Sequence, residues 1–450
     1  MTGQPGASRN VVVLGGGLAG VACAQRLGDE GVGVTLVDRN DYHQFQPLLY
    51  QVATAQLPAE DIARPHRVIF RDHPTVEVRT AHVTDLDVAD LGVTLADGEK
   101  ITGSHLVIAA GAQPEYFGVP GAAEHAFPLY SVADAERLRI HVQDVLRAVS
   151  EGQLDENALD IVVVGGGPTG VEITGALTEL MTALATMERI PASGKIFLID
   201  RGSRLLGAFS DRSHKYAYDR LSEQGAEPRL DTGVASVHAD RVELEDGTAI
   251  PTRTVIWGGG ESAAPVVQAA AGLKTGRGGR VDVLPDLTVA GLPGVYAVGD
   301  AANIPARHGA TLPQLGSVAQ QSGEWSAGNI LRERSGQPTK PFHYKDKGIM
   351  AMIGRNAAVA EVGKHRHQVD GPLAFAAWLG VHAMLLSGVH SKVDAFMSWA
   401  WDYFERDHAA IVEWSARPKR IVWGDEPADA PHISAGRKTS GDSPPAAGDS

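Results

Sequence analysis

Two glycine clusters hold the residues whose spacing could do chemistry in this chain. The first lies in VVVLGGGLAG, with Gly15, Gly17 and Gly20; the second lies in DIVVVGGGPTG, with Gly165, Gly167 and Gly170. Each has the G-x-G-x-x-G spacing, follows a β-branched run and opens a helix-like stretch, the context in which the pattern has meaning. The first glycine makes a tight turn, the second lets backbone approach a pyrophosphate, and the third lets helix and strand pack closely. Free N–H groups at the helix start then hold the phosphate charge. In each copy the next apolar run is closed by an acid, Asp38 or Asp200, placed to accept hydrogen bonds from ribose hydroxyls. Two copies imply two dinucleotides bound at once, as expected if one passes electrons to the other. A carboxylate at Asp200 favours a free 2′-hydroxyl over a 2′-phosphate, and hence NADH over NADPH; Arg201 and Arg204 weigh slightly the other way.

The elements that must position these turns are legible around them. Residues 10–40 read as strand, turn, helix and strand, and residues 160–200 repeat the plan. DAERLRIHVQDVLRAV (134–149) predicts a helix leading into the second unit. VTDLDVADLGVTLADGEKI and VASVHADRVELEDGTAI each alternate around a D-G turn and predict hairpins. HLVIAAGAQP and TVIWGGGESAAP are apolar runs broken by glycine at similar places in the two halves, so the chain carries an imperfect repeat spaced by roughly 150 residues.

Bulk properties exclude several classes. A chain of 450 residues, 43% hydrophobic and 21% charged, can bury the core of two or three domains. Its net charge of −14 argues against nucleic acid as a partner. Between Lys340 and Trp423, however, 11 Lys/Arg stand against 8 Asp/Glu, a local excess compatible with an anionic membrane surface or with a solvated basic face. Cys23 is the single cysteine, so neither a disulfide framework nor dithiol chemistry is available within the chain; small core packing is its expected role. The polar MTGQPGASRN start does not read as a signal peptide. Five of the seven tryptophans lie at or after Trp378, and no charged residue occurs from Gly371 to Ser391, a stretch too dilute in apolar residues to read as a spanning helix. Val393, Phe396, Met397, Ala400, Trp401 and Phe404 recur at helical spacing and predict an amphipathic helix, suited to a membrane interface or to packing on protein. Residues 424–450 have almost nothing to bury and are expected to be disordered. His365 and His367 read as a polar loop, and no metal is expected.

A third signal is TVAGLPGVYAVGDAAN, in which an apolar strand ends at Gly299-Asp300. With it the chain resembles the flavoproteins that have two dinucleotide-binding domains. The likeness covers Gly15, Gly17, Gly20, Asp38, Ala110-Gly111, Gly299-Asp300 and the second fingerprint from Gly165. It implies FAD on the first turn, with the Asp300 carboxylate on the ribitol, and NADH on the second; for Asp300 alone, a helix cap or turn role stays open. The lone cysteine sets the chain apart from the dithiol-using members of that class.

A narrower resemblance follows from FQPLLYQVAT (Phe45 to Thr54), from GGGPTGVE with its Glu172, and from the closing WLGVHAMLLSGVHSKVDAFMSWAWDYF. These are similar to the type II NADH dehydrogenases, single-chain NADH:quinone oxidoreductases of the membrane surface, and the likeness runs to about Trp423. It implies an α/β fold of two Rossmann-like doubly wound nucleotide-binding domains with an α-helical C-terminal extension. The FAD domain would comprise 9–118 plus 283–340, the NADH domain 119–282, a membrane-interface region 341–423, and a tail 424–450. It implies contacts to FAD from Pro47, Ala110, Gly111, Asp300 and Gln320, contacts to NADH from Asp200 and Gly258, and catalytic roles for Glu172 and Gln321. Backbone near Gln320 and Gln321, at a helix start, would favour an anionic reduced flavin. For Glu172 two readings stay open: a buried carboxyl of raised pKa supplying protons or positioning NADH, or a carboxylate favoured by a helix N-terminus. One departure is visible. Where the family has A-Q-x-A-x-Q, this chain has Gly316, Ser317, Val318, Ala319, Gln320 and Gln321.

The activity so implied is hydride transfer from NADH to FAD, then two electrons to ubiquinone or menaquinone, without proton pumping. The enzyme would lie peripherally on the cytoplasmic side of the cell membrane, and a homodimer is compatible with it. A soluble FAD reductase with a protein or small-molecule acceptor, and a non-enzymatic nucleotide-sensing protein, remain as alternatives.

Overall fold

A computed structural model describes residues 10–186, 194–306, 309–363 and 366–385. The amphipathic stretch 393–404, the tail 424–450 and His365 lie outside the described residues.

Two parallel sheets form the frame. In the first, strand Val11–Leu14 lies between Val34–Asp38 and His105–Ile108; Val76–Thr80 extends one side, and Leu292–Ala297 followed by Thr288–Val289 the other. Only the last pair is antiparallel. In the second, Ile161–Val164 lies between Ile196–Ile199 and Thr254–Trp257, flanked by Ala226–Arg229 and Ala126–Pro128, all parallel. The four residues of each central strand are buried, which explains why both read as unbroken apolar runs rather than alternating ones. The registers correspond: Leu14 faces Val37 and Ile108, while Val164 faces Ile199 and Trp257. Helices Leu18–Asp29 and Pro168–Thr186 follow the two turns. The repeat inferred from spacing is therefore structural.

The predicted helix at 134–149 is observed as Val132–Ser150, started by a capping box in which Ser131 and Asp134 bond reciprocally. The two D-G stretches each fold into a three-stranded antiparallel sheet. HLVIAAGAQP and TVIWGGGESAAP do more than correspond: strand Ala112–Pro114 at the end of one pairs antiparallel with Glu261–Ala263 at the end of the other, Gln113 opposite Ser262. The pairing ties the two units together where the chain passes between them.

The C-terminal region opens with strands before it becomes helical. Ile349–Gly354, Ala357–Val362 and His367–Asp370 form an antiparallel sheet, and helix Gly371–Leu385 follows. IMAMIG and AAVAEV show no alternation because both faces are covered. Ala351, Ile353 and Val359 join the core around helix Pro168–Thr186, while Ala358 and Ala360 pack with Ala374 of the C-terminal helix. Among the described residues no helix is long and apolar enough to cross a membrane.

Candidate functional site

Both glycine turns sit at the carboxyl ends of their central strands, where ligands bind in open α/β sheets. Gly15 has φ +101° and Gly165 has φ +107°, conformations that disfavour any side chain. A Cβ on Gly15 would overlap the Ala109 carbonyl, and one on Gly165 the Gly258 carbonyl. A Cβ on Gly20 or Gly170 would overlap the carbonyl of Gly15 or Gly165, so the third glycine is demanded by close packing of helix on turn. Gly17 and Gly167, in contrast, face open space. Gly17 precedes helix Leu18–Asp29, which has neither a side-chain cap nor an acid in its first turn. Its first amides are thus left for an anion, as a diphosphate requires.

The two acids do the same work twice. Asp38 accepts from the N–H of Gly16 and, at 2.7 Å, from that of Asn40. Asp200 accepts from Gly166 at 2.5 Å and Gly202 at 2.6 Å. Each carboxylate therefore clamps its own turn, and its remaining lone pairs are what it can offer a ribose. Arg201 is paired with Glu245 at 2.5 Å and Arg204 with Asp211 at 2.8 Å, so neither guanidinium is committed to the Asp200 site.

Ala110-Gly111 and Gly299-Asp300 are carried to the first turn by the strands beside it. Ala109 N–H bonds to Leu14 O at 2.8 Å, which sets Ala110-Gly111 beside Gly15. Tyr130 OH then accepts from the Ala112 N–H at 2.9 Å. Val298 N–H bonds to Ile108 O at 3.0 Å, bringing Gly299-Asp300 alongside, and Gly299 N–H donates to Ser322 Oγ at 3.0 Å. Burial pushes the Asp300 carboxyl up to about 6 against the opposing effect of Arg280. On the strand pair that links the two units, desolvation and then the Asp300 charge raise the Glu261 carboxyl to about 7. Pro47 lies in the short turn Gln46–Leu48, directly after buried Phe45. Gly258 closes the second site as Ala109 closes the first, its N–H on Val164 O at 2.8 Å.

Helix Gly316–Arg334 starts earlier than expected. Leu315 is its extended N-cap, without a side-chain cap, so the free amides belong to Gly316, Ser317 and Val318. Gln320 and Gln321 lie in the second turn, which corrects the placement of a helix start at those residues. Gln320 reaches Glu324 at 3.4 Å. Gln321 uses both ends of its amide on Lys345, donating to its carbonyl at 3.2 Å and accepting from its N–H at 3.0 Å. Ser317 Oγ meets Tyr344 OH at 2.9 Å. Together with Trp325 and Asn329, both bonded to the Lys340 carbonyl at 2.9 Å, these contacts strap residues 340–345 along one stripe of the helix.

Glu172 lies in the second turn of helix Pro168–Thr186, beyond the free amides that would stabilise a carboxylate. The residue is half-buried, and its carboxyl is largely withdrawn from solvent. Burial pushes it up to about 8, opposed by the hydrogen bond from Met352 N–H, at 3.1 Å, and by the neighbouring Trp378 side chain. Burial thus holds the carboxyl above the ordinary glutamate range, and the helix-start amides of the other reading lie a turn away. Trp378 stacks on His382 at 3.9 Å and meets Tyr50 edge-on at 6.3 Å; Phe45 meets His382 at 6.2 Å. The FQPLLYQ segment thus packs under the C-terminal helix, and burial lowers His382 to about 4. Met352 and Trp378 were not visible as site residues in the sequence, since only the fold brings them to Glu172; His382 joins them through its stack on Trp378. Cys23 is fully buried, with Ser326 Oγ at 3.6 Å, and burial pushes its thiol up to about 12, which suits core packing. Among the described residues no cluster could hold a metal.

The chain is similar in sequence and in fold to known proteins. The family model for pyridine nucleotide-disulphide oxidoreductases matches residues 9–323. The chain is 33% identical over 417 residues to the type II NADH:quinone oxidoreductase Ndh of Mycobacterium tuberculosis, covering 88% of this chain and 89% of the relative. It is 27% identical to the type II NADH:quinone oxidoreductase of Haemophilus influenzae, covering 86% and 95%. Among solved structures, NDH2 from Plasmodium falciparum in complex with NADH superposes with a TM-score of 0.80 at 18% identity, covering 89% of this chain and all of that one, a likeness of fold.

Proposed function

Because the chain belongs to the pyridine nucleotide-disulphide oxidoreductase family, with type II NADH:quinone oxidoreductases among its relatives, we propose that it is an FAD-dependent NADH dehydrogenase reducing quinone without pumping protons. The observation that carries this reading is the duplicated dinucleotide turn, each copy with an open second glycine and its own acid clamp. FAD, once bound, supplies the chemistry, taking hydride from NADH and releasing two electrons to the acceptor. The first turn, Ala110, Gly111 and Asp300 hold FAD, with Pro47 and Gln320 near its ring; the second turn, Asp200 and Gly258 hold NADH. Asp200 accepts from a free 2′-hydroxyl, and the pairing of Arg201 and Arg204 leaves no cation dedicated to a 2′-phosphate. Glu172, protonated at neutral pH, donates a proton during acceptor reduction. Gln321 acts by holding the strap at Lys345 against the helix that begins beside Asp300.

The same reading divides the chain into a split FAD unit, 9–118 plus 283–340, an NADH unit, 119–282, and a membrane-facing region from 341. The C-terminal helix supports the last part. Ala374, Trp378 and His382 face inward, whereas Pro372, Leu373, Ala377 and Val381 leave an uncharged apolar side outward, Leu373 being 76% exposed. Such a face suits the acyl boundary of a bilayer, where quinone resides.

The test is anaerobic. NADH should bleach the flavin of the purified protein, and a short-chain ubiquinone or menaquinone should restore its colour. Bleaching with no reoxidation by either quinone would instead support a soluble reductase with another acceptor. A second expectation concerns Ser317. Its hydroxyl pair with Tyr344 fills less space than a glutamine would and presents no amide to orient a carbonyl. Ser317→Gln should raise quinone turnover severalfold while the rate of bleaching by NADH stays constant. Equal turnover in stopped-flow traces would mean that this position does not touch the acceptor.

A further inference from the structure

The two turns differ in one respect. At the second, the Gly166 carbonyl accepts the backbone N–H of Leu206 at 2.7 Å. At the first, the Gly16 carbonyl instead meets two imidazoles, His43 Nδ1 at 3.0 Å and His66 Nε2 at 3.2 Å. They come from separate elements: His43 from strand Tyr42–Gln44 and His66 from the start of the short helix His66–Ile69, joined through the pairing of His43 with Arg64. Both are buried.

A carbonyl oxygen has two lone pairs and can accept from both rings. This fixes the tautomers, with the proton on Nδ1 of His43 and on Nε2 of His66. Burial pushes His43 below its usual range and keeps it neutral. His66 Nδ1 is left buried with no hydrogen-bond partner, an arrangement that costs stability. The ring also dictates its neighbour, because a Cβ on residue 16 would fall on His66 Nε2 and Cε1. The Gly16 carbonyl and the Gly17 N–H belong to one planar peptide and point in opposite directions. Drawing the carbonyl inward turns the Gly17 N–H the other way, at a residue where even an added Cβ would meet nothing within 4 Å. Between two glycines the plane would otherwise rotate freely.

We propose that His43 and His66 are positioning residues for the flavin nucleotide, locking the Gly16–Gly17 peptide so that its N–H faces the FAD diphosphate. The proposal rests on the assignment of FAD to the first turn. It is tested on purified protein by the FAD dissociation constant, read from the fluorescence of released flavin, and by NADH affinity of the FAD-free protein in calorimetry. His43→Phe and His66→Phe keep a ring but lose the donor, and each should weaken FAD about tenfold, with more in the double variant. His43→Asn and His66→Gln replace the donating nitrogen at a similar reach and should restore affinity to within about threefold. NADH affinity should be unchanged throughout. If a Phe variant does not fold, His66→Asn, whose amide is too short to reach the Gly16 carbonyl, should show the same loss. Unchanged FAD affinity in the donor-deleting variants overturns the proposal. Lost NADH affinity with FAD retained overturns instead the assignment of the two turns.

Discussion

Gly15→Val is expected to yield a colourless protein that recovers no flavin on incubation with FAD, while Gly165→Val yields a yellow protein that NADH no longer bleaches. The two substitutions are geometric equivalents. Each places a β-branched side chain at a strongly positive φ, 101° and 107°, which alone costs about 1–2 kcal/mol. Each also drives Cβ into a carbonyl of the neighbouring strand's exit, Ala109 in one case and Gly258 in the other. Relief requires the turn to move, and the amides that would hold a diphosphate move with it. Loss of affinity on the order of 100-fold for the affected nucleotide is expected, since strained core substitutions commonly cost a few kcal/mol. The readouts are the flavin-to-protein absorbance ratio for the first variant and anaerobic bleaching for the second. A yellow Gly15→Val protein beside a colourless Gly165→Val protein would reverse the assignment of FAD and NADH.

Glu172→Gln is expected to lower quinone turnover by about 100-fold, the usual scale for removal of a positioned proton donor. The substitution is conservative in shape, because a glutamine oxygen can still accept the Met352 N–H. In the wild type the carboxyl, at about 8, is protonated at neutral pH, so turnover should fall as pH rises through about 8. The variant should lack that limb. Stability follows with its own sign. The folded protein holds the Glu172 proton more tightly than the unfolded chain does, so its contribution to stability declines as pH rises from the ordinary glutamate range through about 8. Glu172→Gln removes this decline, and its melting temperature relative to wild type should therefore be higher at pH 9 than at pH 4. A pH profile of turnover identical in the two proteins would exclude Glu172 as the donor.

The parts of the site legible in the sequence are those encoded within a few residues. Gly15, Gly17 and Gly20 announce a turn because the strand before them and the helix after them are contiguous with it. Asp38 and Asp200 close the next strand in each repeat. Glu172 could be marked only as a carboxyl with two readings, since its surroundings, Met352 and Trp378 among them, are delivered by a sheet and a helix far along the chain. That sheet was itself obscured. IMAMIG and AAVAEV are covered on both faces and carry no period of two, so the region read as a helical extension. His43 and His66 had no local signature, because what they share is one carbonyl oxygen. The start of helix Gly316–Arg334 was misplaced toward Gln320 because its N-cap is Leu315, which carries no capping side chain to mark it.

The strand order of the first sheet has a consequence for synthesis. Val295 lies beside Leu106, and the strand that carries it delivers Gly299-Asp300 to the first turn. As the chain leaves the ribosome, the second parallel sheet is complete by Trp257, whereas the first still lacks an inner strand. The sheet of the later-encoded unit can thus be complete before that of the earlier one, reversing the usual N-terminal-first order. Until that strand arrives, His105–Ile108 presents an open parallel edge, and closing it spans a long loop that is slow to form. Flavin capture is then a late event in the maturation of each molecule, and a nascent chain arrested before Asp300 would have its second nucleotide turn assembled and its first still waiting for a wall.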